Sequence, residues 1–397
     1  MNSFLDLKVL ISGQLITSRT ETLEEYFKDR VTTLIVIGIT SPFAPKNISR
    51  CSLYNKGRLQ KEFNLPGFQI HNMRWYKQPL LFISFCIYIV SLLYAMLRLR
   101  GKFDIFIGIS CFSAFMGVLF KKLGWVKRII YYSIDYYPSP SRFNFDRFVV
   151  WLFRRIDKFC VKNADLVWNI SPKIAEARYR YTRLSSDRYK HIVVPLTYSS
   201  KFLRFKPIEE IERYTIGFVG TLSENQGLQL LIKAMPKIIK EIPQIKVRII
   251  GKGPYEEALK KMVSDLSLDN YFIFHGFIKD NNDVLEILSK CAVGIAIWTC
   301  EEDDNILYAD PGKPKLYAFC GLPIIITDGA MVAKEIEQNK AGMSIAYNED
   351  YLIKTLVSII KDNGKLKEYK ECAFKWAKKY TTDGILSNIL KDGEYLN

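Results

Sequence analysis

Lys313 follows a Pro-Gly turn at the head of PGKPKLYAFCGLPIIIT (311–327). Such a turn, leading into a basic helix and then a buried strand, brings a lysine to free backbone N–H groups and the positive end of a helix dipole. The chemistry is anion binding. GFVGTLSENQGLQLLIK (217–233) offers it a second way: a strand ends at Gly220, a short loop follows, and a helix begins near Gly227. An anion bridged by both turns is physically sound. GKGPYEEAL (251–259) repeats strand, glycine turn and helix, with Pro254 near the first helical turn and acidic residues after it. By itself it reads as structural. FHGFI (274–278) ends a strand on Gly276, and His275, one of only three histidines, reads as a hydrogen-bonded structural residue. Asp135 stands just after RIIYYSI (128–134), at a carboxyl edge of the kind that faces ligands; capping the following turn is the rival role. EEDDN (301–305) is consecutive on a loop and reads as a solvated acidic segment, not a metal site. The eight cysteines show no C-x-x-C and no zinc spacing, which suits a reducing cytosol.

Strands and helices must hold these residues in place. In the second half, short Ile- and Val-rich runs at 214–220, 246–251, 271–276, 291–297 and 322–327 alternate with stretches of helical periodicity. Nearly unbroken apolar runs are strands of a parallel sheet covered on both faces. Pro236 is expected to kink the first of the helices. The first half repeats the pattern at 7–12, 32–39, 103–109, 128–134, 165–170 and 191–195. The polar stretch 197–213 reads as a linker. The expectation is an α/β chain of two doubly wound domains, 1–200 and 201–375, with a C-terminal helix at 376–397 packing back on the first.

The 397 residues are nearly half apolar, which excludes a disordered or fibrous chain. Charge is divided unevenly. Residues 1–200 hold 30 Lys and Arg against 13 Asp and Glu; residues 201–397 hold 27 against 28. One domain therefore has an anionic partner: a nucleic acid, a phospholipid surface or a phosphorylated substrate. Segment 79–97 has nineteen residues without a charge, long enough for a membrane span. A span would set the strands of one sheet on opposite sides of the bilayer, so a helix buried in the fold, with one face towards lipid, is expected. Basic and aromatic residues interleave in FKKLGWVKR (120–128) and RFNFDRFVVWLFRRIDKF (142–159). That pattern suits an anionic membrane surface better than a nucleic acid; a solvated face over a core helix is the plain alternative. The amino-terminal MNSFLDLKVLISG reads as a first strand and not as a signal peptide.

The ordered series GFVGTLSENQGLQLLIKA, IIGKGP, FHGFI and KPKLYAFCGLPIII resembles the C-terminal domain of retaining glycosyltransferases of the glycogen-synthase-like (family 4-type) superfamily. YYSIDYYP (131–138) and ADLVWNISPKIAEAR (164–178) resemble parts of its N-terminal domain. The resemblance implies a GT-B fold, two Rossmann-like domains facing across a cleft. It implies transfer of a sugar, with retention, from a UDP- or GDP-linked donor to a saccharide or lipid-linked acceptor, in polysaccharide or glycoconjugate synthesis; the cysteine usage, the basic first half and segment 79–97 add the expectation of a place on the cytoplasmic face of the membrane. No metal or other cofactor is implied. Position by position, it puts Gly220, Thr221, Gln226 and Gly227 at the donor diphosphate, with Gly251 in the same series. It puts Gly276, Phe277 and Ile278 near the base, and Pro311, Gly312 and Lys313 at the phosphates. Asp135 would contact the sugar or acceptor, and Gly13 would border the acceptor site. The sequence departs from the family at four positions. Thr221 and Gln226 replace an Arg and a Lys, and Tyr308 and Leu316 replace a pair of glutamates. Lys313 and Lys315 are then the candidates to restore the charge, and Asp310 the candidate for the sugar hydroxyls. A catalytically inactive protein binding a glycan or a partner is the alternative function.

Overall fold

The computed structural model describes residues 5–14, 18–40, 49–66, 77–136, 144–299 and 307–391. These fall into two compact units, Met1–Thr197 with Ile385–Asn397, and Tyr198–Gly384.

The first unit runs β1 (Leu5–Gln14), α1 (Ser18–Lys28), β2 (Val31–Ile39), β3 (Arg50–Asn55), β4 (Arg58–Asn64), α2 (Lys77–Leu99), β5 (Phe103–Ile109), α3 (Cys111–Lys122), β6 (Val126–Ser133), α4 (Asn144–Asn163), β7 (Leu166–Asn169), α5 (Pro172–Thr182) and β8 (His191–Val193). Among the described residues these strands form one sheet in the order β4-β3-β2-β1-β5-β6-β7-β8. It is parallel except where β3 pairs antiparallel with β2 and with β4. The apolar-run signal of a doubly covered sheet misses the β3–β4 hairpin. Its outer strand is exposed almost throughout and carries Arg58, Lys61 and Glu62, as a guarded sheet edge does.

Helix α2 takes up the whole of the uncharged segment. Tyr88, Leu92, Ala95 and Met96 are buried, while Val90, Tyr94 and Leu97 are exposed at helical spacing. Among the described residues no helix is long and apolar enough to cross a membrane.

The second unit runs β9 (Glu212–Val219), α6 (Leu228–Glu241), β10 (Lys246–Ile250), α7 (Glu256–Asp265), β11 (Phe272–Gly276), α8 (Asn281–Ser289), β12 (Cys291–Ala296), α9 (Gly312–Phe319), β13 (Ile324–Thr327), α10 (Ala333–Gln338), β14 (Gly342–Ile345), α11 (Glu349–Ile360) and α12 (Asn363–Lys378); the last helix, α13 (Thr382–Lys391), starts there and belongs from Ile385 on to the first unit. The described strands make a parallel sheet in the order β11-β10-β9-β12-β13-β14. Successive residues of β13 serve opposite faces: Ile325 joins one core cluster, Ile324 and Ile326 the other. Both faces are thus dry, which is why the strands read as unbroken apolar runs. Helix α6 continues through Pro236 without ending there.

The polar stretch after residue 197 is fastened to the second unit. Arg204 N–H donates to the Phe319 carbonyl at 2.8 Å, and the Phe205 and Phe374 rings lie 5.0 Å apart. At the other end of the chain, α13 buries Leu386 and brings the Ser387 hydroxyl to 3.3 Å from that of Tyr26.

Candidate functional site

The carboxyl ends of β9, β10 and β12 and the start of α9 come together in the second unit. β9 turns at Gly220, whose N–H donates to the Ile250 carbonyl at 2.9 Å. Gly220 has φ +147°, and a Cβ there would sit 2.5 Å from Lys313 Cε. The position must be glycine both for its backbone and for the room Lys313 takes. Gly227 closes the loop at φ +76°, and a Cβ on it would penetrate the Ile297 carbonyl oxygen. The loop and helix start are therefore locked against β12. One strand further out, Gly251 N–H donates to the Gly276 carbonyl at 2.8 Å, which ties the second and third glycine turns together.

Lys313 is the second residue of α9. Its ammonium donates to the Gln226 carbonyl oxygen, which also accepts from Trp298 Nε1 at 3.1 Å. The same ammonium lies 4.1 Å over the Phe218 ring and 5.5 Å from the Trp298 ring. Among the described residues no carboxylate pairs with it. Burial pulls Lys313 down to about 7, because a desolvated ammonium without a counter-ion is costly. The N-cap of α9 is Pro311, which offers no side-chain cap to the first-turn amides. The Gly312 carbonyl accepts from the Tyr198 hydroxyl at 3.3 Å, and Tyr317 holds the helix to the sheet: its hydroxyl donates to the Ile295 carbonyl at 2.9 Å and accepts from Val219 N–H at 3.1 Å.

Lys315, two residues on, is fully buried and pairs with Asp310, itself 3% exposed. It also lies 3.9 Å from the Tyr380 ring, and the Tyr380 hydroxyl donates to Glu335 at 2.6 Å. Asp310 and Lys315 thus spend their charges on one another in the interior. Tyr308 is buried and Leu316 packs on the core, so apolar packing occupies the two positions where the family has glutamates.

The remaining sequence candidates divide. Thr221 is exposed on the loop. Gly276 turns at φ +67°, followed by Phe277, 68% exposed, and by Ile278, which packs on the core. His275 lies 3.4 Å from Arg248, whose guanidinium grips Glu212; burial and that guanidinium hold the imidazole below its usual value. Asp135 and Gly13 belong to the first unit, beyond β6 and within β1. The acidic run 301–305 lies outside the described residues, and among the described ones no His, Cys, Asp or Glu cluster can hold a metal ion. Sequence reasoning missed Phe218 and Trp298, which wall in Lys313, and the role of Gln226 as its acceptor. Only the tryptophan ending the run IAIW (295–298) hinted at a wall there.

Residues 213–362 match the family described as glycosyl transferases group 1. The poly(glycerol-phosphate) alpha-glucosyltransferase of Bacillus subtilis is 29% identical over 186 residues, 45% of this chain and 25% of that protein. A GDP-mannose-dependent alpha-(1-6)-phosphatidylinositol monomannoside mannosyltransferase of Mycolicibacterium smegmatis is 33% identical over 69 residues, 16% of this chain and 18% of that one. The matches thus span a quarter or less of these relatives. Over the whole chain, the crystal structure of Anabaena HepE in complex with UDP superposes with a TM-score of 0.68 at 14% identity, covering 98% of this chain and 100% of that one. Sucrose-phosphate synthase of Thermosynechococcus elongatus does so with 0.72 at 14%, covering 98% and 99%. The fold is GT-B, built from two Rossmann-like domains.

Proposed function

We propose that the chain is a glycosyltransferase that moves a hexosyl group from a UDP- or GDP-linked donor to a saccharide or lipid-linked acceptor in surface polysaccharide or glycoconjugate synthesis. One observation carries this: a lysine ammonium without a carboxylate partner among the described residues, enclosed by Phe218 and Trp298, beside a glycine turn and the uncapped start of α9. When the bond from the sugar's anomeric carbon to the phosphate oxygen breaks, negative charge grows on the departing diphosphate. Lys313 and the first amides of α9 meet it where little water competes, so stabilisation needs no reorganisation at that moment. Gln226 holds the ammonium in place until a phosphate takes over. Retention of configuration, independence of metal, and contact of Asp135 with sugar or acceptor are parts of the same reading. The family match in the second unit and the UDP held by a neighbour of the same fold support it.

We also propose peripheral attachment to the cytoplasmic face of an anionic membrane, supported by the basic first half and the exposed Val90, Tyr94 and Leu97 of α2. The loss of the glutamate pair at Tyr308 and Leu316 favours a second reading, a protein that binds its ligand without turnover. A thermal-shift series with UDP, GDP, CDP and ADP tests donor binding, since a ligand of the native state raises its apparent stability. UDP or GDP is expected to raise the midpoint; no shift with any of the four at millimolar concentration overturns the donor site. Release of the nucleoside diphosphate from the matching nucleotide sugar, with an acceptor present, separates enzyme from binder.

A further inference from the structure

Helix α4 places Arg147, Trp151, Arg154, Arg155 and Lys158 at successive helical spacings, so they share one side. That side and the end of α5 enclose a pocket of about 320 Å³, to which Arg183 adds a fifth cation. No carboxylate lines it among the described residues. Asp157 of α4 is turned inwards, where both its oxygens accept from the buried Arg178 of α5, at 2.8 and 3.0 Å. The helices are therefore fixed to each other by a buried pair that lies apart from the pocket's lining.

The cations are also held in place. Arg154 lies 4.4 Å over the Tyr181 ring, Arg155 lies 5.4 Å from the Trp151 ring, and Lys158 donates to the Thr182 carbonyl at 2.8 Å. Trp151, which lines the pocket, stacks 5.9 Å from Phe148, and both residues are about half exposed. Five like charges gathered around one cavity favour the entry of an anion. Guanidinium forks match phosphate oxygens, and an exposed aromatic pair beside them covers the less polar part of the same molecule.

We propose that the α4–α5 pocket is a phosphate-ester site, separate from the donor site and independent of it. The phosphate enters among the cations, and the glycerol, sugar or acyl portion attached to it lies on Phe148 and Trp151. The phosphate can come from the headgroup of an anionic lipid or from a soluble phosphorylated acceptor; the chemistry recognised is the same.

The test uses the full chain in two arms: co-sedimentation with phosphatidylglycerol vesicles, phosphatidylcholine vesicles as control, and calorimetric titration with sn-glycerol 3-phosphate. Binding in the first arm alone assigns the lipid source, and binding in the second extends the site to soluble phosphates. Arg147→Gln/Arg155→Gln, both at exposed positions, is expected to weaken binding at least tenfold while the UDP-induced thermal shift stays as in the parent chain. Trp151→Ala is expected to weaken it several-fold without changing its salt dependence. Binding in neither arm, or unchanged binding by the double variant, overturns the proposal.

Discussion

The two units handle anions by opposite means. In the second, one ammonium is enclosed by aromatic rings and assisted by backbone amides, and burial lowers its hold on the proton. In the first, five cations gather around an open pocket and each keeps contact with water or an aromatic face. An enclosed charge acts strongly over a short distance on one group at one moment, which suits a departing diphosphate. A surface cluster acts over a longer distance and more loosely, which suits capture of a phosphate-bearing partner. Net charge by itself does not separate these cases: the unit with no basic excess holds the more reactive cation.

The contrast can be broken experimentally, beginning with the largest effect. Asp310→Ala would remove the buried carboxylate that pairs with Lys315 and is expected to cost about 3–5 kcal/mol of stability in urea unfolding. Glu368→Ala, which breaks the exposed pair with Lys340, should cost far less. If the two costs were equal, Lys315 would not be a structural cation. Lys313→Met should lower the transfer rate about 10²–10³-fold, the usual loss when one donor to a developing oxyanion is removed. A rate within a factor of three of the parent would remove Lys313 from the mechanism.

A pH profile of UDP affinity sharpens the comparison. Protonated Lys313 binds the diphosphate, and its free-state value is about 7. Affinity should be flat below that pH and fall as pH rises through it, by roughly tenfold near pH 8. In Lys313→Arg the fall should vanish, since a guanidinium stays charged. The pocket on α4 should show no such step, but raising salt from 50 to 200 mM should weaken its ligand several-fold while UDP binding changes little.

The smallest effect concerns stability. The folded-state value of Lys313 lies below that of an unfolded lysine, so the unfolded chain binds the proton more readily. The cost is full below pH 7 and fades as pH rises towards 10.5. Lys313→Met should therefore melt a few degrees higher than the parent at pH 6, with the difference narrowing at pH 9. A lower midpoint at pH 6 would show that the ammonium is not strained where it sits.

Much of the fold was legible because its signals are local. Buried parallel strands read as unbroken Ile and Val runs, and the turns after β9, β10 and β11 each declare themselves by a glycine that the backbone requires. The β3–β4 hairpin and β14 were not legible. The former is an exposed, charged edge, and GMSI (342–345) is too short and mixed to stand out from a loop.

For the site, the sequence determined that a lysine stands at the start of α9, near glycine turns that leave room for an anion. It also determined that Lys313 and Lys315, two positions apart on a helix, point about 200° away from each other. Which of them faces the interior was decided only by tertiary structure. Packing of α9 on β12 and β13 sends Lys315 to Asp310 and Tyr380, and Lys313 to Gln226, Phe218 and Trp298. Those partners come from segments up to 95 residues away, and the free energy of a charge depends on what surrounds it in space, which no local pattern of residues records.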